Sequence, residues 1–276
     1  MEPFILKETS HFIIKEWTDR FNGLVVGFTT KNGGHSKNSF STLNTGFHVG
    51  DQEQDVCLNR EVLSKSTGIP LSNWVGAEQT HDVHVKKVSV HDRGLGSNSY
   101  ANALRDTDAF FTYDKNLLLT LCFADCVPLY FIAPKYEAIA IAHAGWKGTV
   151  GGIAKSVITV FKDENIPVSE IFAVIGPSIC EKCYIVDDKV ISYVENLVED
   201  VEKKPYNRIK ENQYHLDLKK LNKQILIKAG MIESNIQVTD LCTSCDSDYF
   251  FSHRRDKGKT GRMMSFIGWK EEQSRE

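Results

Sequence analysis

The chain has 276 residues, of which 41% are hydrophobic and 25% charged, and a net charge of −3. This length suits one large domain or two small ones, and the lack of long lysine or arginine blocks argues against a nucleic-acid or anionic-membrane partner. No apolar run approaches the roughly 18 residues of a membrane span and the first ten residues lack a secretion-signal pattern, so a cytoplasmic protein acting on a small molecule or another protein is expected.

Taken in order, residues 12–14 and 24–30 read as strands and Asn32-Gly33-Gly34 as a turn, which makes an antiparallel start. Residues 40–51 have no helical period and set Asn44, His48 and Asp51 among glycines, which suits a ligand-contacting loop or a surface loop held by its own side chains. Over 55–66, Val56, Leu58, Val62 and Leu63 mark one helical face, with Arg60 in that helix and a stop near Gly68-Ile69-Pro70. Residues 75–88 read as a strand interrupted at Thr80-His81. His81 and His84 are three apart, so along a strand they face opposite ways and at most one enters a site. A glycine- and serine-rich loop over 93–103 precedes a strand over 106–112.

Residues 119–132 read as a buried strand that carries Asp125 and Cys126, breaks at Pro128 and resumes, because so apolar a run needs cover on both faces. A second buried strand, 138–142, ends at His143 and leads through Gly145 and Gly148 into a helix over 151–161. Cys126 and His143 are therefore expected side by side, where strands yield to a glycine turn. Further on, 171–177 and 236–243 read as strands, 190–201 and 216–229 as amphipathic helices, and 203–213 as an exposed polar connection. The uneven alternation predicts mixed α/β layers rather than a regular βαβ series.

His81, Cys126 and His143 are separated by 45 and 17 residues, too far apart for a zinc finger. Two imidazoles and a thiolate do match catalytic zinc, whose fourth position stays open to water or substrate. The blander alternative is a buried cysteine beside hydrogen-bonded core histidines. A third is a nucleophilic Cys126 with His81 or His143 as base and Asp125 as its orienter. Residue types alone do not choose among these.

Seven cysteines in a chain with no secretion signal read as thiols or metal ligands rather than a disulfide framework. The pairs Cys180/Cys183 and Cys242/Cys245 each have zinc-ribbon spacing, but the gap between them is far longer than a ribbon's, so a four-cysteine metal site and unrelated turn cysteines both stand. Arg254, Arg255, Lys257, Lys259 and Arg262 place five cations in nine positions around Gly258 and Gly261, as in an oxyanion pocket or a solvated basic hairpin. Residues 145–149 lack Walker spacing.

Several motifs taken together carry a resemblance: Leu43-Asn44-Thr45-Gly46-Phe47-His48-Val49-Gly50-Asp51, Glu78-Gln79-Thr80-His81, Asp108-Ala109, Ala124-Asp125-Cys126-Val127-Pro128, Ala142-His143-Ala144-Gly145-Trp146-Lys147-Gly148, Ile175-Gly176-Pro177-Ser178-Ile179 and Phe251-Ser252-His253-Arg254-Arg255-Asp256. In this order, from about Phe28 to Trp269, they resemble the YfiH/YlmD family, formerly the laccase-domain or polyphenol oxidase family and now described as purine nucleoside phosphorylases. The resemblance implies a single α/β domain over 1–276, built of layered mixed sheets flanked by helices. It implies zinc on His81, Cys126 and His143, and phosphorolysis of adenosine, inosine and methylthioadenosine to free base and (methylthio)ribose 1-phosphate, with some adenosine deamination. On this reading Asp125 orients a histidine or shuttles a proton, while Asn44, His48, Arg60, Arg254 and Arg262 are candidates for ribose and phosphate.

Two departures are visible: Thr80 stands where many relatives carry valine, and Lys147 replaces a frequent arginine, keeping the charge but losing the bidentate fork. A laccase needs a trinuclear copper cluster supplied by His-x-His pairs. None occurs among the nine histidines, so oxidation of phenols is expected only from Cu2+ in the zinc site. Two rivals stay open: a cysteine hydrolase or amidase acting through Cys126, and a zinc-containing binding module without turnover.

Overall fold

Strands β1 (Phe4–Glu8) and β2 (His11–Ile14) pair antiparallel at the start of the chain, helix α1 (Lys15–Arg20) follows, and β3 (Leu24–Thr29) runs antiparallel to β2. The structure is a computed structural model and describes residues 1–199 and 202–271. Helix α2 (Glu53–Thr67) stops at Gly68, whose φ of 70° is the left-handed closing geometry that glycine adopts without Cβ strain. Then come β4 (Trp74–Val75), β5 (Val85–Lys87), β6 (Ala109–Thr112), β7 (Leu117–Phe123), β8 (Val127–Ala133) and β9 (Ala138–Ala144). Helices α3 (Trp146–Gly151) and α4 (Ile153–Asp163) are separated by Gly152 at φ 96°. The remainder is β10 (Phe172–Ile175), β11 (Ile185–Val186), α5 (Asp188–Leu197), β12 (Tyr206–Lys210), β13 (Gln213–Leu216), α6 (Leu218–Lys228), β14 (Ile236–Val238) and β15 (Met263–Trp269).

Two six-stranded sheets form, one in the order β1-β2-β3-β15-β7-β4 and the other β14-β10-β8-β9-β6-β5, beside a small antiparallel sheet β11-β13-β12. Side-chain alternation explains the layering. On β8 and β9, Tyr130, Ile132, Ile139 and Ile141 pack between the two large sheets, whereas Leu129, Phe131, Ala140 and Ala142 pack under α4 and α6. On the far side, Leu118, Met264 and Phe266 pack against Leu63 of α2. The order of layers is thus helix, sheet, sheet, helices, the mixed α/β arrangement expected. Strands covered on both faces have no polar face to show, and each large apolar side chain buried this way contributes about 1.5–3 kcal/mol. Among the described residues no helix is long and apolar enough to cross a membrane.

Several boundaries differ from the sequence reading. Residues 119–132 are not one strand broken at Pro128. The break is at 124–126, and the two halves belong to different sheets. Pro128 is the second residue of β8, where a missing N–H is tolerated, and its carbonyl accepts from the Gly176 amide. Residues 75–88 likewise divide into β4 and β5, one in each large sheet. The polar stretch 203–213 contains the exposed strand β12, and Leu216 ends β13 before Asp217 caps α6 through the Lys220 amide. The helix expected over 190–201 is observed as Asp188–Leu197; residues 200 and 201 lie outside the described residues.

Candidate active site

Both places where the chain passes from the first large sheet to the second carry a candidate residue. In the β7–β8 connection, Asp125 has φ 88°, a left-handed conformation that costs a non-glycine residue on the order of 1–3 kcal/mol unless its surroundings hold it. They do: its carboxylate accepts the Thr243 hydroxyl at 2.6 Å and the Arg254 amide at 2.7 Å, and its carbonyl accepts the Ile179 amide at 3.0 Å. The turn delivers Cys126 to the mouth of β8. In the β4–β5 connection His81 has φ 62°. His84 lies outside the pocket, with its Nδ1 3.2 Å from the Asp106 carbonyl, as the three-residue spacing predicted.

Asp108, just before β6, joins the two connections. Its fully buried carboxylate accepts the backbone amides of Thr80 (3.0 Å), His81 (3.1 Å) and Asp82 (2.9 Å), and lies 2.8 Å from Nδ1 of His143 on β9. Burial alone would raise the Asp108 pKa, but the hydrogen bond and charge of His143 and the amides of Asp82 and Thr80 bring it below its ordinary value. The His143 Nδ1–H is thereby fixed on a carboxylate, which leaves Nε2 as the nitrogen that a metal would take once its proton is displaced, the arrangement common to metal-bound histidines. The orienting role expected of Asp125 belongs to Asp108, because the Asp125 carboxylate faces Thr243 and Arg254 instead.

One ligand atom each of His81, Cys126 and His143 lie within 4.8 Å of one another, and the two imidazole rings meet edge to face at 4.7 Å. Two nitrogens and one sulfur at this spacing fit a zinc-type cation with one side open. Burial works against ionising Cys126, but the charge and hydrogen bond of His143, followed by those of His81, bring the thiol down to about 6. Burial likewise opposes protonation of His143, yet the Cys126 charge and the Asp108 hydrogen bond raise it to about 9. In chelator-stripped protein Cys126 is therefore a thiolate at pH 7. Its alkylation by iodoacetamide, mapped by mass spectrometry, is expected to fall off only below about pH 6 and to be blocked by added zinc. A fall-off near the ordinary thiol value of about 8.5 would refute the couple.

Gly145 closes the third side. Its φ of −68° suits any residue, so the demand is for space: a Cβ there would stand 3.0 Å from Cys126 Sγ and 3.0 Å from a ring carbon of His81. Gly145→Ala is expected to fold normally yet bind zinc roughly tenfold more weakly, since ligand positions tolerate only small errors. Competition against a metal-sensitive dye checks this.

His81, Cys126 and His143 lie in the wall of a cavity of about 540 Å3, together with Gln79, Trp146, Lys147, Tyr184, His253, Arg254 and Arg262. Gln79 ties the β4–β5 connection to β7 by bonding both the amide (2.7 Å) and the carbonyl (2.9 Å) of Cys122. Of the substrate candidates, His48, Arg254 and Arg262 line the cavity. Burial first, then the charges of Arg262 and Arg60, push His48 down to about 4, so its imidazole is neutral at pH 7. The Arg254 guanidinium stacks 4.9 Å from the Tyr184 ring.

The other two candidates are not in the cavity wall. Asn44 is fully buried and holds the backbone of Gly46 and, at 2.8 Å, the amide of Arg262. Arg60 spends its guanidinium on the carbonyls of Thr45, Gly96 and Ser97 and stacks on Phe47 at 4.3 Å. The Arg60 guanidinium is therefore committed to backbone carbonyls rather than to the phosphate or ribose contact expected of it. The sequence reading did not single out Asp108, Trp146 or Tyr184 for roles. Asp108 was quoted in the motif Asp108-Ala109, and its position directly before a buried strand was the available signal.

Residues 25–270 match the family model described as "Multi-copper polyphenol oxidoreductase laccase". The chain is 48% identical over 273 residues to the purine nucleoside phosphorylase YlmD of Bacillus subtilis, covering 98% of each chain. It belongs to the YfiH/YlmD family. It is also 37% identical over 243 residues to the purine nucleoside phosphorylase SSP1584 of Staphylococcus saprophyticus, covering 88% of this chain and 91% of the relative. The crystal structure of YlmD from Geobacillus stearothermophilus superposes with a TM-score of 0.95 at 42% identity over 98% of this chain and 100% of that one. That of the hypothetical protein YfiH from Bacillus licheniformis gives 0.94 at 48%, with the same coverage. Among the described residues, two groups of three or more His, Cys, Asp or Glu have ligand atoms close enough for a metal: the His81–Cys126–His143 set and four cysteines. Neither supplies the many histidines of a trinuclear copper cluster.

Proposed function

We propose that the chain is a zinc-dependent purine nucleoside phosphorylase, cleaving adenosine, inosine and methylthioadenosine with phosphate to the free base and ribose or methylthioribose 1-phosphate. The observation that carries this reading is the His81–Cys126–His143 set in the wall of a cavity that also presents Arg254, Arg262 and Lys147 to an anion and Trp146 and Tyr184 to a flat base. Zinc bound there would supply a Lewis acid at the cavity wall. Arginine matches phosphate oxygens bidentately, so Arg254 and Arg262 hold the nucleophile. The neutral imidazole of His48 hydrogen-bonds the ribose without adding positive charge beside a sugar that becomes cationic. Asn44 contributes at one remove, by fixing the backbone of Arg262.

In the reaction an oxygen of hydrogen phosphate bonds to C1′ as the C1′–N9 bond breaks, and the purine leaves with the bonding pair and takes up, directly or through solvent, the proton that the phosphate gives up. Adenosine deamination, in which water replaces the C6 amino group and ammonia departs, is a side activity of the same cavity. The test is hypoxanthine release from inosine. Release that needs phosphate, is matched by ribose 1-phosphate and is lost on chelation supports the proposal; release of free ribose without phosphate overturns it.

One observation favours a second reading. Cys126, His143 and Asp108 also line up as nucleophile, base and orienting carboxylate, which is a cysteine-hydrolase arrangement. That reading requires turnover to survive chelation and to stop on alkylation of Cys126.

A further inference from the structure

The pairs Cys180/Cys183 and Cys242/Cys245, undecided in the sequence, converge. Strands β10 and β14 are parallel neighbours, so the loops after them leave the same end of the second large sheet, and a bridge between Ser178 and Cys242 holds them side by side. All four Sγ atoms lie within 4.8 Å of one another, with Cys180 and Cys183 at 3.8 and 3.4 Å from Cys245. Disulfides require sulfurs about 2.05 Å apart. A tetrahedron of thiolates around zinc, with bonds of about 2.3 Å, has edges of about 3.8 Å. The spacings of 3.4 and 3.8 Å, with all four sulfurs within 4.8 Å, are far too long for a disulfide and close to the edge of the tetrahedron.

Two backbone amides, those of Cys180 (3.2 Å) and Cys245 (3.3 Å), point at the sulfur of buried Cys242. Amide donors of this kind orient a thiolate ligand and offset its charge. We propose that Cys180, Cys183, Cys242 and Cys245 form a second metal site, separate from the His81–Cys126–His143 set, that binds one Zn2+ as a structural staple. With four protein ligands the site is closed to substrate, which marks it as structural rather than catalytic. What it staples is one wall of the cavity. The first loop runs on from Ile179 to Tyr184. The second carries Thr243, which holds the Asp125 carboxylate and accepts from Arg255 at 3.0 Å through its carbonyl.

The test is zinc content by mass spectrometry of reduced, freshly purified protein, comparing wild type, Cys126→Ala and Cys245→Ser. Two zinc ions per wild-type chain are expected, with one lost in each variant. Cobalt loaded into Cys126→Ala in place of zinc should give the intense sulfur-to-metal charge-transfer bands of an all-thiolate tetrahedral site. This second readout stands even if Cys245→Ser fails to fold. Cys126→Ala protein that holds no zinc and shows no such bands overturns the proposal, as does a disulfide among these four cysteines in the purified protein. Iron rather than zinc in the site overturns the choice of metal. One zinc in both wild type and Cys126→Ala, with none in Cys245→Ser, would support the staple and refute the catalytic-zinc reading, so the two fail separately.

Discussion

Asp108→Ala is expected to be among the most damaging single substitutions in the chain. It leaves the amides of Thr80, His81 and Asp82 and the Nδ1 of buried His143 without their acceptor. Breaking a buried charged pair from one side costs about 3–5 kcal/mol, which in a chain of this size lowers the melting temperature by roughly 10 °C. The left-handed His81 backbone also loses its restraint, so zinc affinity should fall at least tenfold to a hundredfold, the range for an outer partner of a ligand. Thermal unfolding and a competitive zinc titration measure both effects; a variant with wild-type melting would show that the carboxylate is dispensable.

The same carboxylate gives the acid limb of stability a sign. Because the folded pKa of Asp108 lies below its ordinary value of 3.8, its contribution is fully present above that value and is lost as pH falls through the lower folded one. Wild-type stability should therefore drop more steeply below about pH 4 than that of Asp108→Ala.

Cys126→Ala should have the opposite profile, with the chemistry lost and the fold kept. The thiol is partly accessible and sits at the mouth of β8 rather than in the core, so truncation should cost about 1 kcal/mol or less in stability. Removing one of only three ligands, however, dismantles the proposed zinc site, and phosphorolysis should fall by about a thousandfold or more, equivalent to about 4 kcal/mol of transition-state stabilisation. Cys126→Ser keeps the shape but offers a harder, less acidic donor, and should recover little. Steady-state inosine phosphorolysis beside metal content separates the outcomes. Full activity in a metal-free variant would remove both zinc and thiol from the mechanism.

The juxtaposition of Cys126 and His143 was legible because one buried apolar run, 119–132, carries Cys126 and the next, 138–142, ends at His143 before a glycine turn. What could not be read was that residues 119–132 change sheets. A run buried on both sides shows no change of pattern when it crosses, and Pro128 attracted the break that belongs to Asp125. Adjacency also misled. Asp125 is next to Cys126 in sequence, but its turn conformation carries the carboxylate toward Thr243 and Arg254, while Asp108 reaches His143 across the sheet. Arg60 was a candidate for ribose or phosphate only on the resemblance, in the helix that follows the glycine-containing loop over 40–51. Loops of this kind leave carbonyls without regular partners, and the guanidinium satisfies three such carbonyls. The four cysteines depended on the pairing of β10 with β14, a non-local fact that spacing does not contain.

Strand β15 lies between β3 and β7 in the middle of the first large sheet, although it begins at Met263 and β3 ends at Thr29. On the ribosome, at roughly 5–20 residues per second, β3 and β7 must wait for that strand, β3 for tens of seconds. During that time each presents a bare edge able to pair with a neighbouring nascent chain. Both connections that carry His81 and Cys126 start from this unfinished sheet, so the His81–Cys126–His143 set reaches its final setting only after translation has passed residue 269. Slower elongation over the last third of the message should then lower soluble yield, and a chaperone that shields strand edges should restore it.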